Sequence, residues 1–215
     1  LFFDIEFEHN LYNFSFHLLT SIEQLIIIIY INFMREATYS YVKNLFNIEQ
    51  IKEININIKK NLNINAEDAP AISAKKTSDV KFLKLGAVQK YILPFIDYCH
   101  TANITSFGFD LHQLTSQKIL NYNSYKKESE YTWHIDATPK SPIKDIKLTC
   151  LLNLSEEKYE GGELVLFKGE EVVCKEFNEP GSAVVFPSFT NHKVEKIISG
   201  SRATLAIWME GPKFR

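Results

Sequence analysis

His134, Asp136 and His192 are the side chains of this sequence best suited to act together. Two imidazoles and one carboxylate can occupy one face of a metal ion and leave the opposite positions open. Non-haem Fe(II) sites use that ligand set to activate O2. Arg202 follows the second histidine, and its planar fork of N–H donors suits a carboxylate gripped at two points. The motif His134-Ile135-Asp136 is short enough to arise by chance, and a single histidine is more often a packed or surface residue than a ligand. His9, His17, His100 and His112 are read in that ordinary way. What lifts the other two is order and context: H-x-D comes first, His second, Arg third, each at the edge of a strand-like segment.

Those segments must position the site. Apolar residues at Ile51, Ile54, Ile58 and Leu62 have helical spacing, which predicts a helix over 48–62. Residues 66–78 are polar with Pro70 and read as a loop. A second helix is expected over 87–103, with Pro94 kinking it or marking a boundary and Asn103 ending it. From Phe107 the apolar period changes to about 2. Short strands are expected over 118–125, 131–136, 146–154, 163–167, 171–177, 182–186, 192–198 and 203–210. Gly161-Gly162, Lys168-Gly169, Pro180-Gly181 and Ser199-Gly200 supply turns between them. The expected fold is mainly β with N-terminal helices, an α+β chain built on an antiparallel jelly roll. The expected organisation is an extension over 1–33 outside the native fold, a helical support region over 34–105, and the jelly roll over 106–215.

On a strand, residues i and i+2 share a face, so His134 and Asp136 are expected to project together from one strand end. A jelly roll can bring His192 beside them from a later strand. A buried Arg202 would need an anion; on the surface it would simply pair with a glutamate. Thr204, two residues on, shares its strand face and could donate a hydroxyl, or could be a plain strand-favouring residue. Tyr122 is a further hydroxyl donor or a core tyrosine.

Composition narrows the field. A formal net charge of -2 without a basic stripe argues against a nucleic-acid partner. Cys99, Cys150 and Cys174 are odd in number and lack C-x-x-C spacing, so they read as buried free thiols in a reducing, cytoplasmic setting. The apolar run Leu25–Ile31 is too short to span a membrane, and no membrane partner is expected. The first methionine is Met34, and the functional protein is expected to start near it; a short helix packed on the domain is the alternative reading of the segment before it.

The C-terminal part resembles the Fe(II)/2-oxoglutarate-dependent dioxygenase superfamily, in its prolyl 4-hydroxylase and PKHD-type hydroxylase branch. The stretches that carry the resemblance are Tyr131-Thr-Trp-His-Ile-Asp136, Lys147–Leu154, Tyr159-Glu-Gly-Gly-Glu-Leu164, Pro180–Pro187, His192-Lys-Val194 and Gly200-Ser-Arg-Ala-Thr204 through Trp208 to Arg215. It implies a double-stranded β-helix of the cupin-like kind. It implies that His134, Asp136 and His192 hold Fe(2+), that Arg202 binds the distal carboxylate of 2-oxoglutarate, and that Tyr122 supports the same carboxylate. The Glu-Gly-Gly-Glu run is expected to be a tight structural turn. The implied reaction consumes 2-oxoglutarate and O2, hydroxylates an unactivated C–H bond, and releases succinate and CO2, with ascorbate keeping the iron reduced. Peptidyl proline is the substrate by analogy; another peptide or a small molecule is equally open, because a fold does not fix a substrate. Residues 123–130 and 137–145 are expected to form the substrate lid. A non-catalytic metal- or small-molecule-binding jelly roll and a zinc hydrolase are the competing readings; the hydrolase leaves Arg202 without a role.

Overall fold

A computed structural model describes residues 38–62, 76–137 and 141–214. The expectations for residues 1–33, and most of the loop at 66–78, lie outside these.

Two antiparallel sheets face each other. The major sheet has the strand order β1-β9-β5-β12-β3-β2, with β1 at Ser40–Val42, β9 at Ala183–Pro187, β5 at Lys144–Asn153, β12 at Arg202–Pro212, β3 at Ile119–Tyr125 and β2 at Asp79–Lys84. The minor sheet has the order β4-β10-β7-β8, from Tyr131–His134, Asn191–Val194, Leu164–Phe167 and Glu171–Val173. A two-stranded ribbon joins β6 (Glu160–Gly161) to β11 (Ile197–Ser199). Two opposed antiparallel sheets with interleaved strand order are a jelly roll, as the strand spacing predicts.

Residue alternation on the major sheet builds two cores. Leu148, Cys150 and Leu152 of β5 and Leu205, Ile207 and Met209 of β12 face outward and pack beneath the helices. The opposite residues face the minor sheet, where Phe186, Leu164, Leu166 and Phe177 form a second, smaller cluster. The long helix α1 (Ile48–Lys60) buries Ile51, Ile54 and Ile58. Its start is fixed by a capping box between Asn47 and Gln50, which satisfies two of the backbone N–H groups a helix leaves open. Gly181 lets the α1 entry dock: at φ +80° a Cβ there would sit 1.9 Å from the Phe46 carbonyl oxygen.

Several boundaries differ from the pattern reading. The helix expected over 87–103 is divided: α2 (Leu85–Val88), a 3-10 turn (Gln89–Tyr91) and α3 (Leu93–Ala102). Pro94 sits in the first turn of α3, where its missing N–H would be unbonded anyway, so it starts a helix instead of kinking one. Asn103 does not end the helical path: a π turn runs on over Asn103–Phe107 until Gly108 at φ 68°. Phe107, from which a period of about 2 is read, therefore belongs to a helix end. The strands expected over 192–198 and 171–177 each stop early, the first dividing into β10 and β11 and the second giving way to a 3-10 turn at Lys175–Asn178. The support region also carries β1 and β2, which close the two edges of the major sheet. β1 is three residues long and β2 (Asp-Val-Lys-Phe-Leu-Lys) has no clean alternation, so neither stands out in sequence. All three cysteines are buried and free, as expected. Among the described residues no helix is long and apolar enough to cross a membrane.

Candidate metal centre and anion pocket

Strand register assembles the site. His134, the last residue of β4, pairs directly with His192 of β10. Their rings are 4.0 Å apart, centroid to centroid. Asp136 lies just past the end of β4 in a bend, not on the strand as expected. Backbone hydrogen bonds to the Ser188 carbonyl from Asp136 and Ala137 hold that bend against the turn before β10. The result is the cluster the motif predicts: ligand atoms of His134, Asp136 and His192 all lie within 4.8 Å of one another. Asp136 carboxylate oxygens stand 3.7 Å from His134 Nε2 and 3.6 Å from His192 Nε2.

Each group is pre-oriented. His134 Nδ1 donates to the Thr132 carbonyl at 2.8 Å and His192 Nδ1 to the Thr190 carbonyl at 2.9 Å. A carbonyl can only accept, so Nδ1 carries a proton in each ring and Nε2 is the nitrogen left for the cluster. Burial, and then the neighbouring His192, push His134 down to about 4, which keeps its imidazole neutral at physiological pH. Asp136 Oδ2 accepts from Thr149 Oγ1 at 2.7 Å and from Trp208 Nε1 at 2.9 Å. Thr149 and Trp208 are themselves register partners across β5 and β12. Such outer hydrogen bonds fix ligand orientation and tune the metal. The stacking of Tyr131 on His134, centroids 3.4 Å apart, closes one side of the cluster.

The cluster opens into a cavity with about 410 Å³ of empty space, mouth included. Arg202 and Thr204 line the same cavity. Arg202 is only 2% exposed. Its guanidinium carbon lies 5.2 Å from the Tyr125 ring centre and 5.3 Å from that of Phe177. Among the described residues its Nε and Nη2 have no hydrogen-bond partner, and no carboxylate pairs with it. A buried cation with open donors is costly, and a bound anion is its natural complement. Thr204 Oγ1 accepts from Asn123 Nδ2 at 3.3 Å.

Of the six residues expected at the site, the structure gathers five around one cavity and places Tyr122 elsewhere. Tyr122 faces the helices, packs in the outer core and donates its hydroxyl to Asn55 Oδ1 at 3.2 Å. Burial raises its phenol to about 12. Tyr125, three residues on and therefore on the other strand face, is the tyrosine beside Arg202, with which it is in register. Pattern reading also passed over Trp208 and Thr149. Trp208 was reachable: counting by twos from Arg202 through Thr204 puts it on the same face. Gly162 was expected only as a turn. At φ +71° it also lies against the arginine stem, where a Cβ would come 3.2 Å from Arg202 Cδ. Of the lid expected at 123–130, Asn123 to Tyr125 are part of β3, and Asn123 and Tyr125 line the cavity floor.

The profile of the 2OG-Fe(II) oxygenase superfamily matches residues 120–210. A PKHD-type hydroxylase of Synechococcus sp. (strain CC9605) is 39% identical over 82 residues, 37% of this chain and 36% of that protein. Another, from Alteromonas mediterranea, is 33% identical over 99 residues, 41% of this chain and 42% of that protein. The matches thus span less than half the length of these relatives. The crystal structure of a Pseudomonas putida prolyl-4-hydroxylase superposes with a TM-score of 0.63 at 18% identity, covering 85% of this chain and 97% of that one. The region 120–210, which holds the histidine pair, Asp136 and Arg202, is thus similar to the 2OG-Fe(II) oxygenase superfamily, and its sequence similarity runs to the PKHD-type hydroxylases.

Proposed function

We propose that this protein is an Fe(II)- and 2-oxoglutarate-dependent dioxygenase that hydroxylates an unactivated C–H bond and releases succinate and CO2. The observation that carries the reading is Arg202: a buried guanidinium with two open donors, lining the same cavity as a His/Asp/His cluster. A metal site alone would not need it.

The donor set fits Fe(II), since two imidazoles and one carboxylate leave room for further ligands. His134, Asp136 and His192 would hold it. Bound there with 2-oxoglutarate and O2, the iron supplies oxidative decarboxylation coupled to hydroxylation. The protein's part is placement. Thr149 and Trp208 keep Asp136 aimed, so that its carboxylate does not swing away when the metal binds. Arg202 would clamp the far carboxylate of 2-oxoglutarate, with Tyr125 and Thr204 beside it. Leu151, Leu164 and Val194 line the same cavity and exclude water around the reacting centre. No protein acid, base or nucleophile is required.

A prolyl residue of a peptide is the first substrate class to test, by analogy with the prolyl-4-hydroxylase neighbour; other peptides and small molecules follow. Ascorbate is the expected reductant. A reducing, cytoplasmic setting is consistent with three buried free thiols. Succinate formation from 2-oxoglutarate tests the proposal: it should require Fe(II), rise with ascorbate, and vanish in His134→Ala. Metal bound stoichiometrically without any 2-oxoglutarate turnover, across peptide and small-molecule panels, would favour a non-catalytic binder instead.

A further inference from the structure

Lys76 is the other cation of the cavity, and the co-substrate reading above leaves it without a role. It lines the same pocket as Arg202, Asn123 and Tyr131. Its Nζ donates to Asn123 Oδ1 at 2.6 Å and lies 4.9 Å over the Tyr131 ring. The residue is fixed at its backbone as well. Lys76 forms a β-bridge with Tyr131, and Thr77 N–H donates to the Glu130 carbonyl at 3.1 Å. Tyr131 in turn stacks on His134. Lys76 is therefore anchored to the strand that carries the first histidine, and its ammonium is held in place by a side chain of the cavity floor.

Among the described residues no carboxylate lies within ion-pair distance of Lys76. Among the described residues the one carboxylate lining the cavity is Asp136, which already accepts from Thr149 and Trp208 and faces two imidazoles. Two cations in one secluded cavity repel each other, and a divalent metal at the histidines would add to the excess. That arrangement is unfavourable when empty and favourable around a dianion. The floor also couples the two cations: Asn123 accepts from Lys76 and donates to Thr204, which shares a strand face with Arg202.

We propose that Lys76 is a second carboxylate-binding residue of this cavity, acting with Arg202 on the same bound 2-oxoglutarate. This rests on the co-substrate reading of the site. Burial lowers the Lys76 ammonium to about 8, with Asp136 opposing that shift and Arg202 adding to it, which fits a cation awaiting an anion.

The test is calorimetric titration of the full chain loaded with Mn(II), which allows binding without turnover. Wild type, Lys76→Met, Lys76→Arg and Arg202→Met are each titrated with 2-oxoglutarate and with 2-oxopentanoate, which lacks the distal carboxylate. Lys76→Met should weaken 2-oxoglutarate about tenfold, the effect of one lost charge-assisted hydrogen bond. Lys76→Arg should recover most of that loss. The salt dependence of affinity should be shallower in Lys76→Met than in wild type, which a purely structural role would not produce. If Lys76→Met weakens 2-oxoglutarate but not 2-oxopentanoate, Lys76 grips the distal carboxylate beside Arg202. If it weakens both, Lys76 grips the carboxylate next to the keto group. Wild-type affinity and salt dependence in Lys76→Met, alongside a clear loss in Arg202→Met, would overturn the assignment while leaving the co-substrate reading intact. No binding by metal-loaded wild type would overturn both.

Discussion

The two faces of the major sheet are made from the same strands and do opposite work. On β12, Leu205, Ile207 and Met209 point to the helices and are fully or almost fully buried. Between them Arg202, Thr204, Ala206 and Trp208 point to the cavity. On β3, Tyr122 meets Asn55 of α1, while Tyr125 meets Arg202. The outer face is apolar and closed by helices. The inner face carries Arg202, with two donors open among the described residues, and Thr149 and Trp208, which brace Asp136; across the cavity it meets the two imidazoles of the minor sheet. Stability and ligand binding are thus assigned to alternate residues, and substitutions on the two faces should separate cleanly.

The largest expected effect is on the cavity side, at the minor sheet that the inner face meets. His192→Ala removes one of the three proposed ligands and should abolish stoichiometric Fe(II) or Mn(II) binding, seen by metal analysis after desalting, with the fold retained by circular dichroism. Leu152→Ala, on the outer face, should destabilise the protein by about 2–5 kcal/mol in denaturant titration, because a fully buried side chain leaves a cavity behind. Its metal affinity, measured well below the unfolding transition, should match wild type. A drop in both would show that the faces are coupled. Trp208→Phe keeps the ring and deletes the hydrogen bond to Asp136. It should weaken metal binding by about 10- to 100-fold, the usual range for an outer-shell partner, with little change in unfolding midpoint. The smallest effect sharpens the contrast most. Tyr122→Phe loses one buried hydrogen bond, worth about 1 kcal/mol of stability, and should leave 2-oxoglutarate affinity unchanged. A loss of 2-oxoglutarate affinity in Tyr122→Phe would mean that the outer tyrosine reaches the site after all.

The parts legible in sequence were those with a local signature. Most strands from Ile119 onward, the helix over Ile48–Lys60 and the His/Asp/His/Arg order follow from period, turn residues and motif; β6, inside the expected Glu-Gly-Gly-Glu turn, does not. The rest depends on register, which sequence does not display. Tyr122 and Tyr125 are both strand tyrosines before the motif, and only the pairing of Tyr125 with Arg202 decides which one faces the cavity. Thr149 and Trp208 meet at Asp136 because β5 and β12 pair at that pair of residues. Lys76 sits in a stretch that reads as polar loop, and a single β-bridge to Tyr131 turns it inward. β1 and β2 are edge strands with too few residues or too little alternation to show.

Arg202 holds the central claim, because its burial with two donors open among the described residues is what a bound dicarboxylate explains. The most direct measurement is anaerobic calorimetry of 2-oxoglutarate binding to the Fe(II)-loaded full chain, wild type against Arg202→Met. The account predicts one 2-oxoglutarate per iron in wild type and an affinity loss of about 100-fold in the variant, in line with truncating one partner of a buried charge pair. Equal binding by the two proteins, or none by wild type, would contradict it.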